Sequence, residues 1–259
     1  MANRRSGTRG RTGTERLTKA QRKEQARRER LEIQRRMARA RRNRWIALGV
    51  AVVVAAAVTV FVVTRPKPRV VTPAELLADA KSGASAAGCA SVKTEPEYGQ
   101  GLDRAHIGVA GGPPTMPALS TYPSVPPASG PHNQIPLNSG VYLSPPPIDQ
   151  AIHSLEHGAT IVWYAPGAPS SLVSQITDYY KHHRAIGSRV IVAPYDYPDQ
   201  GQAGVLPAGT QMALVAWHHL ESCARPNLAA AFGFTARYSF PTYDGLRYLG
   251  DAPEQGAAL

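Results

Sequence analysis

Residues 159–193 read ATIVWYAPGAPSSLVSQITDYYKHHRAIGSRVIVA. Ala159–Tyr164 is a short apolar run rich in β-branched and aromatic residues, the pattern of a buried strand. The Pro and Gly that follow break it. From Ser170 to Arg184 the apolar residues Leu172, Ile176 and Tyr179 or Tyr180 recur at helical spacing, so that segment reads as an amphipathic helix. Ser188–Ala193 (SRVIVA) is a second buried strand. A strand–helix–strand unit of this length places its two strands parallel, because the crossover is right-handed.

Working outward, Ile148–His157 reads as a short helix, Met212–Trp217 (MALVAW) as a third strand, and Asn227–Phe234 (NLAAAFGF) as the start of a last helix. The expected fold class is α/β: a small α/β sandwich, with helices packed on one face of a sheet. Before it lies a Pro-rich irregular arm. Many of the chain's 23 prolines fall between Pro113 and Pro147, where helix is disfavoured. Pro73–Lys81 (PAELLADAK) predicts a short helix with Thr72 as N-cap and Pro73 in its first turn. No internal repeat is visible.

The charge of +11 points at first to a nucleic-acid binder, but it is unevenly placed. Residues 1–44 hold 17 of the 29 Lys and Arg and 4 of the 18 Asp and Glu, whereas the chain from residue 70 has 9 basic and 14 acidic residues. The basicity belongs to a tail, and no nucleic acid is expected to bind the main domain. Residues 1–13 are expected to be disordered. Residues 14–44 read as a solvated helix, with Glu24–Arg28 and Glu32–Arg36 at helical spacing.

Residues 45–63 (WIALGVAVVVAAAVTVFVV) carry no charge. As a helix they extend about 28 Å, close to the hydrocarbon thickness of a bilayer. The run exceeds the apolar core of a cleavable signal peptide, and no small-residue cleavage site follows it. One transmembrane helix is therefore expected. The basic tail stays cytoplasmic, beside anionic lipid headgroups, and the C-terminal domain is extracytoplasmic at the cell membrane. The expected organisation is a basic tail at 1–44, a transmembrane helix at 45–64, a linker and short helix at 65–84 and an extracytoplasmic α/β domain at 85–255. Residues 64–72 (TRPKPRVVT) form the stiff spacer.

Cys89 and Cys223 are the only cysteines, and both follow the span. In an oxidising compartment a disulfide is expected between them. The alternatives are two free thiols or a thiolate pair on a metal.

The stretch richest in chemistry is His153-Ser154-Leu155-Glu156-His157-Gly158. His153 and His157 share a face whether the segment is helix or strand, which suits two ligands to one ion. His132, after Gly130-Pro131, is the natural third member, and Glu156 is a fourth ligand or an acceptor that orients a ring. His106 is a weaker candidate. The string also matches His-x-x-Glu-His, the inverted zinc-peptidase pattern, with Glu156 as base. That pattern needs a long helix, and Gly158 ends this one. The rival reading has the histidines and Glu156 hydrogen-bonding backbone in a constrained turn. His182-His183 and His218-His219 look like surface or strand-end residues.

Taken together, Tyr122-Pro123, Pro126-Pro127, Ser129-Gly130-Pro131-His132, Gly140-Val141-Tyr142, the His153–Gly158 string, Trp163-Tyr164, Pro194 and Ala213–Trp217 resemble the actinobacterial family called domain of unknown function 3105. Pro253-Glu254 resembles its closing motif, and Ala128 stands where Thr is usual. The resemblance covers roughly residues 85–255. It implies a basic N-terminus, a single span and an uncharacterised outer domain, and it assigns no activity. Three functions stay open. The first is an extracytoplasmic domain binding copper or zinc through His132, His153, His157 and Glu156. The second is a structural or interaction module at the cell envelope with a protein partner and no metal. The third is a metal-dependent hydrolase. No residue is assigned a catalytic role.

Overall fold

The computed structural model describes residues 19–64, 71–99, 101–183 and 188–259. The chain divides into two compact units, Met1–Arg69 and Val70–Leu259. The described part of the first is one helix, α1 (Lys19–Thr64), 46 residues long and so about 70 Å from end to end. It runs without a break from the basic segment into the apolar one. Its basic half carries an exposed Arg28–Glu24 ion pair of 2.9 Å. In its apolar half the Thr59 hydroxyl donates to Ala55 O at 2.8 Å, which satisfies that polar group inside the helix itself. The helix is long and apolar enough to cross a membrane. The expected disorder of residues 1–13 and most of the 64–72 spacer lie outside the described residues.

The second unit opens on α2 (Pro73–Ala78). Thr72 caps it in a reciprocal arrangement: its hydroxyl accepts from Glu75 N–H, and the Glu75 carboxylate accepts from Thr72 N–H. This satisfies two of the donors that a helix start leaves open. The helical stretch extends past Lys81 as α3 (Ala80–Ala87), which Gly88 ends in the left-handed region. Four more segments follow before the core: β1 (Lys93–Thr94), a 3-10 turn at Leu119–Thr121, β2 (Gly140–Val141) and α4 (Ile148–Glu156). The rest runs β3 (Thr160–Tyr164), α5 (Ser170–His182), β4 (Val190–Pro194), β5 (Met212–Ala216), β6 (His219–Cys223) and α6 (Leu228–Tyr238). The Asn227 side chain caps α6 by accepting from Ala230 N–H.

The six strands form one mixed sheet in the order β1-β6-β5-β3-β4-β2. β3 and β4 are parallel, as the crossover rule requires, and β2 adds to β4 in parallel. β5 runs antiparallel to β3, and β6 to β5. The central strands are buried on both faces, which is why they read as unbroken apolar runs. Ile161, Trp163, Ile191, Ala193, Ala213 and Val215 face α4 and the irregular arm. Val162, Val190, Val192, Met212, Leu214 and Ala216 face α2, α5 and α6. Each large aliphatic side chain so buried contributes on the order of 1.5–3 kcal/mol.

The expectation that all helices share one face is corrected here. Four helices cover one side, and α4 packs on the other beside the arm. The inward residues of α5 are Ile176, Thr177, Tyr179 and Tyr180, with Leu172 only half-buried. β1, β2 and β6 were not foreseen. Two residues are too few to show a period, and in β6 only Leu220 and Cys223 are buried. Cys89 and Cys223 face each other across an isolated antiparallel bridge and form a disulfide. It ties the end of α3 to the end of β6.

Candidate metal centre

The end of α4 lies against the arm, and the helix geometry presents His153, Glu156 and His157 together. His157 is the C-cap, and Gly158, at φ 86°, turns the chain into β3. A residue with a Cβ adopts that conformation only with strain. On the facing side, the arm pairs with itself. His132 N–H donates to Ala105 O and Ile107 N–H donates to His132 O, so His106 and His132 sit side by side in a parallel bridge. Gly130, at φ 120°, makes the approach possible: a Cβ there would lie 2.7 Å from the Tyr122 ring. That ring is held in turn by its hydroxyl, which donates to Pro131 O.

Four side chains converge. A donor atom from each of His106, His132, His153 and Glu156 lies within 4.8 Å of the other three. His132 is 0 % exposed, Glu156 1 % and His153 4 %. His157 lies beside this group, its Nε2 2.8 Å from His153 Nε2.

The backbone decides which ring nitrogen carries the proton. His132 Nδ1 lies 2.8 Å from Gly130 O, His153 Nδ1 2.5 Å from Asn133 O, and His157 Nδ1 2.6 Å from Ala258 O. A carbonyl only accepts, so each Nδ1 is a donor, and in the neutral ring each Nε2 is left as a bare lone pair. Two acceptor pairs therefore face each other. His132 Nε2 is 3.0 Å from Glu156 Oε2, and His153 Nε2 meets His157 Nε2. The first contact is short yet not aligned as a hydrogen bond. His106 Nε2, His132 Nε2 and Glu156 Oε2 are buried without a hydrogen-bond partner among the described residues. Facing lone pairs repel unless a proton or a metal cation lies between them.

Charge around the cluster is balanced by Arg104. Its Nε donates to Glu156 Oε1 at 2.6 Å and its Nη2 to Glu254 Oε1 at 2.7 Å. Burial alone would raise the Glu156 carboxyl; hydrogen bonding and charge from the Arg104 guanidinium help bring it below the usual carboxylate range. His153 is lowered to about 4, chiefly by burial. It therefore stays neutral at physiological pH, the form that binds metal. Such an ion held by four donors at ~2.0–2.1 Å would need the side chains to close in by about an ångström.

Of the four expected ligands, His132, His153 and Glu156 are brought together; the fourth member of the group is His106, set there by its bridge to His132, while His157 lies beside the group and meets His153. Arg104 and Glu254 were not read as site residues. Their positions in the chain carry no local signal, since Arg104 meets Glu254 across 150 residues. His183 stacks on Tyr179. His218 and His219 lie at the strand ends, as expected, and both are half-buried. His218 sits in the β5–β6 turn at φ 57°, with Nε2 2.8 Å from Asp103 and Nδ1 3.3 Å from Asp251. His219 reaches the other oxygen of Asp251 at 3.4 Å. Cys89, Glu221 and Cys223 also cluster, but sulfurs bonded to each other are not thiolate ligands.

No curated protein sequence and no solved structure matches the chain. The family model described as "Protein of unknown function (DUF3105)" matches residues 115–245, a span that contains His132, His153, Glu156 and His157. The chain belongs to that family.

Proposed function

We propose that this protein is a membrane-anchored metal-binding protein whose C-terminal domain, outside the cytoplasm, holds one first-row transition ion, copper or zinc. His106, His132, His153 and Glu156 are the ligands. The observation that carries the reading is the division of roles on the His132 ring, where Nδ1 is spent on a backbone carbonyl and Nε2 is buried with nothing to satisfy it, beside a His106 Nε2 that is also unsatisfied and a His153 ring that likewise gives its Nδ1 to a carbonyl. Metal-bound imidazoles characteristically donate their second nitrogen in this way, which fixes tautomer and orientation. A purely structural role for the histidines accounts for Nδ1 and leaves Nε2 unexplained. Imidazole and carboxylate together suit copper or zinc.

A hydrolase role for Glu156 is less well supported. Arg104 occupies one of its oxygens, and the side chain is almost fully buried. Four protein donors also leave less room for a reacting water than the three of a catalytic zinc site. The anchor rests on the apolar half of α1, and the orientation on the basic residues that precede it.

The test uses the full chain, without a histidine tag, purified in detergent. Loaded with Zn2+ and desalted, it should retain about one equivalent. The His106→Ala/His132→Ala/His153→Ala protein should retain little. Because that variant removes buried side chains, Co2+ bound to the wild type supplies a second readout: visible absorption bands of a four-coordinate nitrogen and oxygen site. A wild-type chain that retains neither ion overturns the proposal.

A further inference from the structure

The four inner donors are buried, so an ion needs a way to reach them. A second, overlapping set of donors lies on the solvent side. His157 Nε2 is 2.8 Å from His153 Nε2 and 3.5 Å from Glu254 Oε2. The Glu254 side chain is 42 % exposed, whereas that of His157 is 10 % exposed. His153 belongs to both sets. The tail that carries Glu254 is zipped onto the end of α4: Glu254 N–H donates to Glu156 O, Gly256 N–H donates to His157 O, and Arg189 donates to both His157 O and Gly256 O. Arg104 holds the other Glu254 oxygen, which leaves Oε2 turned toward His157.

We infer that His153, His157 and Glu254 form a loading station, through which a divalent transition-metal ion passes from solvent to the inner site. This inference rests on the metal reading of that site. The chemistry is ligand exchange, with no change of oxidation state. The exposed carboxylate draws the hydrated ion, and its charge raises the local cation concentration. His157 Nε2, bare because Ala258 O takes the proton of Nδ1, replaces a water. His153 then serves as the shared ligand. It holds the ion while His157 and Glu254 are exchanged for His106, His132 and Glu156. Because His153 and His157 already stand 2.8 Å apart, the ion moves between sets without returning to water.

Stopped-flow uptake of Zn2+ by the tag-free full chain in detergent, followed by its removal from a chromophoric zinc chelator, tests this. Glu254→Gln should load about tenfold or more slowly than wild type, the low end of what a focusing charge contributes. It should still approach one Zn2+ per chain, and Glu254→Asp should recover part of the rate. Glu254→Gln loading at the wild-type rate overturns the station, since the outer contact then holds a proton only. A final stoichiometry well below one also overturns it, by making Glu254 a ligand of the resident ion. If the wild type takes up no Zn2+, the metal reading itself falls and this inference falls with it.

Discussion

Raising the pH from about 7 to about 9 should destabilise the second unit through a single side chain, His218. The imidazole lies between two carboxylates from distant parts of the chain, Asp103 in the arm and Asp251 near the C-terminus. Asp103 is itself held by Ser129 Oγ and Tyr98 N–H, and Asp251 also meets His219. Burial alone would lower the pKa of His218; the hydrogen bonds and charges of the two aspartates reverse that and raise it to about 9 from 6.5. A group whose folded pKa is raised contributes all of its stability below the unfolded pKa. That contribution is lost as pH rises through the folded value. The full difference corresponds to roughly 3 kcal/mol, of which about 2 kcal/mol disappears between pH 7 and pH 9. Glu221, raised by burial to about 7, completes most of its own change below that window. Both aspartates are held below their usual value, so their contribution is lost only in acid.

The assay is urea unfolding of the full chain in detergent at several pH values. It is followed by the fluorescence of Trp163 and Trp217, both buried in the core. The control is His218→Asn, because asparagine tolerates the positive φ at this position while removing the cation. The wild type should lose about 2 kcal/mol across the window, and the gap to the variant should narrow by that amount. A flat wild-type profile, or the same slope in His218→Asn, refutes the argument.

Three further outcomes are expected. Cys89 and Cys223 should resist alkylation until reduced, and Cys89→Ser should lower stability by up to roughly 5 kcal/mol, because the bridge closes a loop of 134 residues in the unfolded chain; labelling without reductant refutes this. Gly130→Ala should destabilise by about 1–3 kcal/mol and reduce Zn2+ retention, because its Cβ meets the Tyr122 ring in a strained conformation; a variant with unchanged thermal unfolding refutes the steric account. Protease added to intact cells making the protein should cut beyond residue 70 and spare the basic tail, and full protection of the C-terminal part refutes the proposed orientation.

The elements legible in the sequence share one property: their burial is expressed over consecutive residues. β3, α5 and β4 show it as two apolar runs around an amphipathic segment, and α2 as a Thr–Pro start followed by Glu75. The His153–His157 string was legible because a helix face is a local feature. What stayed hidden depends on contacts between distant segments. β6 pairs with β5 through its backbone, so its half-polar side chains carry little period. The side of the sheet that α4 covers is not encoded in its own pattern, since an apolar stripe specifies that it packs and not on what. His106 became a core member of the cluster only through the ladder that sets it beside His132.

By itself, then, the sequence determined the apolar α1, the parallel β-α-β core and the two histidines and glutamate that α4 presents, because each follows from a continuous stretch of chain, and the family, because its motifs are short strings of identity that need no contact to be read. The tertiary structure decided the rest: His106 and His132 arriving from the arm, Arg104 and Glu254 closing over Glu156, and the clasp of His218 by two aspartates. Those groups are brought together by backbone hydrogen bonds between irregular segments, and such bonds are made by every residue type and leave no trace in side-chain identity.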